Sequence, residues 1–208
     1  MVRRTKAEAE ATRENILDAA EHVFLERGVA RTSLEEIARA AGVTRGAVYW
    51  HFKNKVDLFN GMIERVRLPL SQLIESLETE TGRDPIATIR AALLHALRKL
   101  TGNEQYRRVF TIYYHRLESV GEFSANVRQQ NVLARECKKV FGELFERAER
   151  LGLLRPGVLP AQAAIAVHVY VIGIFSDWLR DPEAYDLAQN AEGLVDMLMQ
   201  GLIEPAGS

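Results

Sequence analysis

The sequence predicts an all-α fold of nine helices, and three observations carry the prediction. Helix start and stop signals follow one another along almost the whole chain. No window shows the strict apolar–polar alternation of a half-buried strand, and apolar residues recur instead at three- and four-residue spacing. The 208 residues, 47% hydrophobic and 26% charged, suit a globular chain with a small domain joined to a larger one.

The first helix carries Ile16, Ala20, Val23 and Phe24 on one stripe and is closed by Gly28. Ser33 followed by Glu36 is a capping box that opens a short second helix, ended by Gly42. Thr44 caps a third, over about 45–52, and Asn54 with Asp57 opens a longer fourth, which Pro69 should kink or interrupt. Asp84-Pro85 is an N-cap followed by proline at the first helical position, and its helix runs to Gly102. Further helices are expected over about 104–120, 124–151, 160–180 and 186–203. Ala163 to Phe175 is the most apolar segment, but His168 interrupts it and Asp177 closes it. It falls short of the roughly 20 apolar residues of a membrane span and reads as a helix buried on nearly all sides. Arg3, Arg4 and Lys6 lead into an Ala/Glu stretch rather than an apolar leader, so a soluble, cytoplasmic protein is expected. Cys137, the single cysteine, forms no intrachain disulfide, which fits a reducing compartment.

Net charge is -1, which argues against a uniformly basic coater of nucleic acid, yet the charge is segregated. The first 55 residues hold 10 Lys+Arg against 8 Asp+Glu, the rest 17 against 20. Between Ile37 and Val56 there is no acidic residue, while Arg39, Arg45, Lys53 and Lys55 are basic. Two short helices joined by Ala41-Gly42-Val43-Thr44 have the length and glycine turn of a helix-turn-helix, whose second helix enters the major groove. In that helix Thr44, Tyr49 and His51 offer hydrogen bonds to phosphate oxygens and Lys55 a point charge. Arg45 has the reach for guanine O6 and N7, and small Gly46 and Ala47 let the backbone approach the bases. Ser33, Trp50 and these residues form the candidate DNA-contact set, with Val48 and Phe52 facing inward.

The run Val43-Thr-Arg-Gly-Ala-Val-Tyr-Trp-His-Phe-Lys-Asn-Lys55 resembles the recognition helix of TetR-family repressors, and Gly28 to Gly42 resembles the family's approach to it. Met1-Val-Arg-Arg-Thr-Lys6 and the overall length resemble the AcrR/TtgR-type branch, which represses multidrug efflux operons. The resemblance implies a TetR-like architecture: a DNA-binding domain over 1–55 and a ligand-binding and dimerisation domain over 56–208. It implies that Tyr49, His51 and Lys55 grip phosphates while residues near Thr44 to Ala47 read bases. Whether Trp50 packs on the DNA backbone or into the domain stays open.

In the C-terminal part, aromatic and soft residues stand one turn apart on single faces: Phe110 with Tyr114, Cys137 with Phe141, His168 with Val171 and Ile172, and Ile89 with Leu93 and Ala96. Together they suit an apolar cavity with Tyr114, His168 and Ser176 as polar handles for a hydrophobic or aromatic inducer, although core packing produces the same stripes. Helices over 161–180 and 186–203, the latter with Leu194, Val195, Leu198, Met199 and Leu202, are the expected homodimer interface. A ligand pushing on the fourth helix through Val66 would change the spacing of two DNA-binding heads. No Cys/His/Asp/Glu cluster has metal-ligand spacing, so neither metal nor cofactor is expected. An enzyme would need an acid, base or nucleophile constellation that the sparse polar residues of the apolar helices do not supply. The remaining alternative is a constitutive DNA-binding regulator with no inducer, its C-terminal half packed solid.

Overall fold

Local capping chemistry sets most of the helix starts. In the computed structural model, which describes residues 6–66, 70–117 and 124–204, α1 (Lys6–Arg27) ends where Gly28 takes φ +82°. Ser33 and Glu36 form the reciprocal capping box of α2 (Leu34–Ala40), with Ser33 N–H donating to Glu36 Oε2 at 2.8 Å. Thr44 Oγ1 accepts from Ala47 N–H at 3.2 Å and opens α3 (Arg45–His51). Asn54 Oδ1 accepts from Asp57 N–H and Asp57 Oδ2 from Lys53 N–H, at 2.8 and 2.9 Å, around the start of α4 (Lys55–Val66). Next come α5 (Leu70–Glu80) and α6 (Pro85–Gly102), the latter capped by Asp84. Then α7 (Glu104–Thr111) passes directly into a π-helical turn, Ile112–Arg116. The last three are α8 (Ser124–Arg150), α9 (Pro160–Arg180) and α10 (Leu187–Leu202), the last capped by Asp186.

The described residues thus hold ten α-helices where nine were expected. The difference lies at the fourth, which is two helices on either side of Pro69; proline has no N–H and crowds the carbonyl one turn back. Pro69 itself and Val120, the expected end of the helix from Glu104, lie outside the described residues. A second correction concerns α9. It is not buried on nearly all sides: only 33% of its most apolar window is buried, and Ile165 and Val169 are 48% and 59% exposed. Taken over its whole length, α9 is long and apolar enough for a membrane span by length and composition only, although Ala163 to Phe175 falls short of one.

The chain divides into two compact units. The first joins residues 1–67 with 108–127. Its core is built from Ile16, Leu17, Ala20 and Phe24 of α1, Ile37 of α2, Val48 of α3, and Leu58, Phe59 and Met62 of α4, with Val109 and Ile112 added by the returning segment. Each of these side chains larger than Ala20 contributes roughly 1.5–3 kcal/mol on burial. The second unit joins residues 68–107 with 128–208. There α6 packs on α5 and α10, and Ile89, Leu93, Leu97, Val195, Phe141, Phe145, Val167 and Phe175 are among the buried residues. Arg90 donates to both carboxylate oxygens of Asp196, at 2.7 and 3.1 Å, joining α6 to α10. An isolated antiparallel bridge, Leu154 to Ile203, fastens the end of α10 to the α8–α9 linker.

Candidate nucleic-acid interface

The turn between α2 and α3 is held from three sides. Gly42 adopts φ +65°, a left-handed conformation that a Cβ would strain, and so redirects the chain. Val43 N–H donates to Ala38 O at 2.9 Å, and Asn15 Nδ2 of α1 donates to Ala41 O at 2.8 Å. Val48 and Phe52 are buried as expected, and the Arg13 guanidinium lies 5.4 Å from the Phe52 ring centroid. Gly61 of α4 permits this packing: a Cβ there would stand 3.1 Å from Phe52 Cε1 and 3.2 Å from Arg13 Nη2.

On this support α3 turns its other face outward. Thr44, Arg45 and Gly46 are exposed, Ala47 and His51 half-buried, and Tyr49 and Trp50 are 45% and 73% exposed. Trp50 meets the His51 ring edge-on, centroids 4.5 Å apart, so within the chain it packs on its helix neighbour rather than into the core. Arg45 Nη2 donates to Tyr49 Oη at 3.3 Å, and Arg45 Nη1 lies 2.8 Å from Glu35 Oε1 of α2. The Tyr49 hydroxyl and the Glu35 carboxylate hold the guanidinium proton more firmly than usual. Ser33 and Lys55 are also engaged within the chain. Ser33 belongs to the capping box, and Lys55 Nζ donates to Ala30 O and Thr32 O, both at 3.0 Å, tying down the loop before α2.

Sequence reasoning missed a buried ionic joint in the same unit. Glu21 of α1 is fully buried; its Oε1 accepts from Arg65 Nη1 of α4 at 2.9 Å and its Oε2 from Arg108 Nε of α7 at 3.0 Å. Arg65 also reaches Glu14 at 2.9 Å and Asp18 at 2.7 Å. Glu14, Asp18 and Glu21 at helical spacing on α1 were the available signal, but nothing in the sequence pairs them with residues 65 and 108. At the far end of the π turn, Val29 N–H donates to Arg116 O at 3.0 Å.

The expected ligand-contact residues divide between the units. Val66 is buried in the first, where Phe110 stacks on Tyr114 at 6.0 Å and Tyr113 meets both rings edge-on. Ile89, Leu93, Ala96, Cys137, Phe141, His168, Val171, Ile172 and Ser176 lie in the second. Ile89, Leu93 and Phe141 are core there, and the other six are half-buried. Cys137 is in no disulfide. The sequence reading did not include Tyr106, whose ring meets Phe175 edge-on at 6.3 Å. Burial, and then Cys137, push its phenol well above the ordinary value. Its position one turn before Phe110 on α7 was the signal. Burial and then Lys138 hold His168 below the ordinary imidazole value.

Known proteins carry the same layout. Residues 16–62 match the model of bacterial regulatory proteins of the tetR family, and residues 84–203 that of the C-terminal region of MAATS-type transcriptional repressors. The chain belongs to the TetR family. The HTH-type transcriptional regulator TtgR of Pseudomonas putida is 39% identical over 197 residues, covering 94% of this chain and 93% of that one. The crystal structure of NalD, the secondary repressor of the MexAB-OprM multidrug efflux pump in Pseudomonas aeruginosa, superposes with TM-score 0.89 at 44% identity, over 96% of this chain and all of that one. A SmeT–triclosan complex superposes with TM-score 0.82 at 37% identity, covering 94% and 93% of the two chains. This TetR-family chain is accordingly a DNA-binding transcriptional regulator and not an enzyme.

Proposed function

We propose that this TetR-family regulator represses a multidrug efflux operon in the bacterial cytoplasm and is released from its operator by hydrophobic small molecules. The likeness to NalD over essentially the whole of both chains is the observation that carries this reading. The SmeT–triclosan complex supports an apolar aromatic effector. Thr44 to Ala47 read bases from the start of α3, and Tyr49, His51 and Lys55 contact phosphates, with Ser33 and Trp50 beside them. The working form is a homodimer through α9 and α10, since Ile165, Val169 and Met197 leave apolar surface exposed on those helices. An effector held among the aromatic and aliphatic residues of the second unit prefers a head spacing that fits the operator poorly, and lowers operator affinity by its differential affinity for the two states.

The test is binding of the full chain to the DNA upstream of its own gene, titrated with triclosan and a panel of hydrophobic antimicrobials. The expected result is specific binding that at least one compound weakens about tenfold or more. Tight binding that no compound moves would instead mark a constitutive regulator.

A further inference from the structure

The carboxylates nearest α3 in sequence are Glu35 and Glu36 before it and Asp57 after it, with no acidic residue in between. Two of these hold helix starts: Glu36 closes the capping box with Ser33, and Asp57 accepts from the backbone of Lys53. Glu35 does neither. It reaches across from α2 to the first residue of the recognition helix, where its Oε1 stands 2.8 Å from Arg45 Nη1. The other terminal nitrogen of Arg45 donates to Tyr49 Oη at 3.3 Å, and the guanidinium carbon lies 5.2 Å from the Tyr49 ring centroid. Capped starts on both helices, with the Val43 N–H to Ala38 O bond between them, fix the separation across which Glu35 acts.

We propose that Glu35 is a specificity-determining residue. Without touching DNA, it positions the Arg45 guanidinium for base readout and so sets how strictly one base pair of each half-site is chosen. The inference rests on the reading that Arg45 faces base edges. A long, unrestrained arginine is drawn to any phosphate, and that attraction carries no sequence information. A guanidinium held by a carboxylate on one side and a tyrosine on the other has its plane defined before DNA arrives. Glu35 and Tyr49 engage two of its five N–H donors, and the rest suit paired acceptors such as guanine O6 and N7. Glu35 also offsets the charge of Arg45 and repels the phosphate backbone, which lowers affinity for DNA of arbitrary sequence. Ordering the side chain beforehand reduces the freedom lost on binding. Both partners are well exposed, so the pair does little for folding and its effect belongs in discrimination. The plain alternative is a surface ion pair beside the N-terminus of α3, where any carboxylate is favourable.

Selection from randomised operators separates the two, using the full chain as wild type, Glu35→Gln, Arg45→Ala and the double variant. Affinity for the selected site and for a scrambled duplex is measured alongside, at low and at physiological salt. Arg45→Ala is expected to abolish preference at one base-pair position per half-site. Glu35→Gln should weaken preference at that same position by about fivefold or more and tighten scrambled-DNA binding a few-fold at low salt. In the double variant it should add nothing at that position. If Glu35→Gln raises scrambled-DNA affinity but leaves every positional preference as in wild type, Glu35 is only a bulk charge and the proposal is overturned. It is overturned equally if Arg45→Ala changes no preference, because Glu35 then has no reader to act through. A wild-type protein that selects no sequence would instead overturn the placement of α3 in the groove.

Discussion

His95 shows how far a single residue is specified by its surroundings rather than by its type. On α6 its Nε2 is buried and, among the described residues, without a hydrogen-bond partner. Burial, followed by the charges of Lys99 and Arg98, holds this imidazole below its ordinary value against a small opposing effect of Glu80. His168 is displaced in the same direction. Because the folded-state value is the lower one, the unfolded chain takes up protons first as pH falls. The stabilisation is therefore complete above about pH 6.5 and is lost as pH falls through the folded-state values. Urea denaturation should show stability declining as pH falls below about 6.5, ahead of the carboxylate range. His95→Leu removes the unpaired nitrogen at similar volume, so it should add about 1 kcal/mol at neutral pH and flatten that decline. An unchanged slope in the variant would mean that His95 does not titrate with folding. Lys55 carries a related lesson about legibility. Its charge and position were readable, but its two carbonyl partners at Ala30 and Thr32 lie 25 and 23 residues away in sequence, where no local pattern reaches.

Helices were legible wherever the side chain that starts them is local. Ser33, Thr44, Asp84 and Asp186 each accept from a backbone N–H two or three residues on, an interaction the sequence spells out. The π turn at Ile112–Arg116 was not legible, since an i→i+5 ring leaves no mark in a 3.6-residue pattern. Nor was the joint at Glu21, which exists only once α1, α4 and α7 come together. That joint is costly to assemble, because a carboxylate with no exposed surface must be matched by well-placed cations. Glu21→Gln keeps the shape but leaves Arg65 and Arg108 sharing a neutral amide that offers one acceptor oxygen in place of two. We expect it to destabilise the protein by about 3 kcal/mol in chemical denaturation, a large part of the total stability of a typical domain. Glu14→Gln, at the more exposed edge of the network, should cost less than about 1 kcal/mol. Similar losses for the two variants would show that burial of Glu21 adds nothing to the strength of the joint.

For the whole molecule, the surface left uncovered on one chain says more than its core. The apolar character of α9 was read from the sequence as burial on nearly all sides, yet in the single chain Ile165 and Val169 remain about half exposed, and Met197 of α10 in the same unit is 62% exposed. Hydropathy reports that a face must be covered and does not report which chain covers it. In the proposed homodimer a second copy would cover this face, and one two-fold axis would then serve both the interface and the operator. Val169→Glu tests this, since the position is exposed in the single chain and a carboxylate there should leave helix content and monomer folding intact. Across a two-fold interface the substitution would bury a pair of like charges. Sedimentation at micromolar concentration should then show a monomer for the variant and a dimer for the wild type. Operator affinity should fall by about a hundredfold or more, because each head would bind its half-site without the effective concentration that linkage supplies. A Val169→Glu protein that still sediments as a dimer and binds the operator as wild type would move the interface off the exposed face of α9.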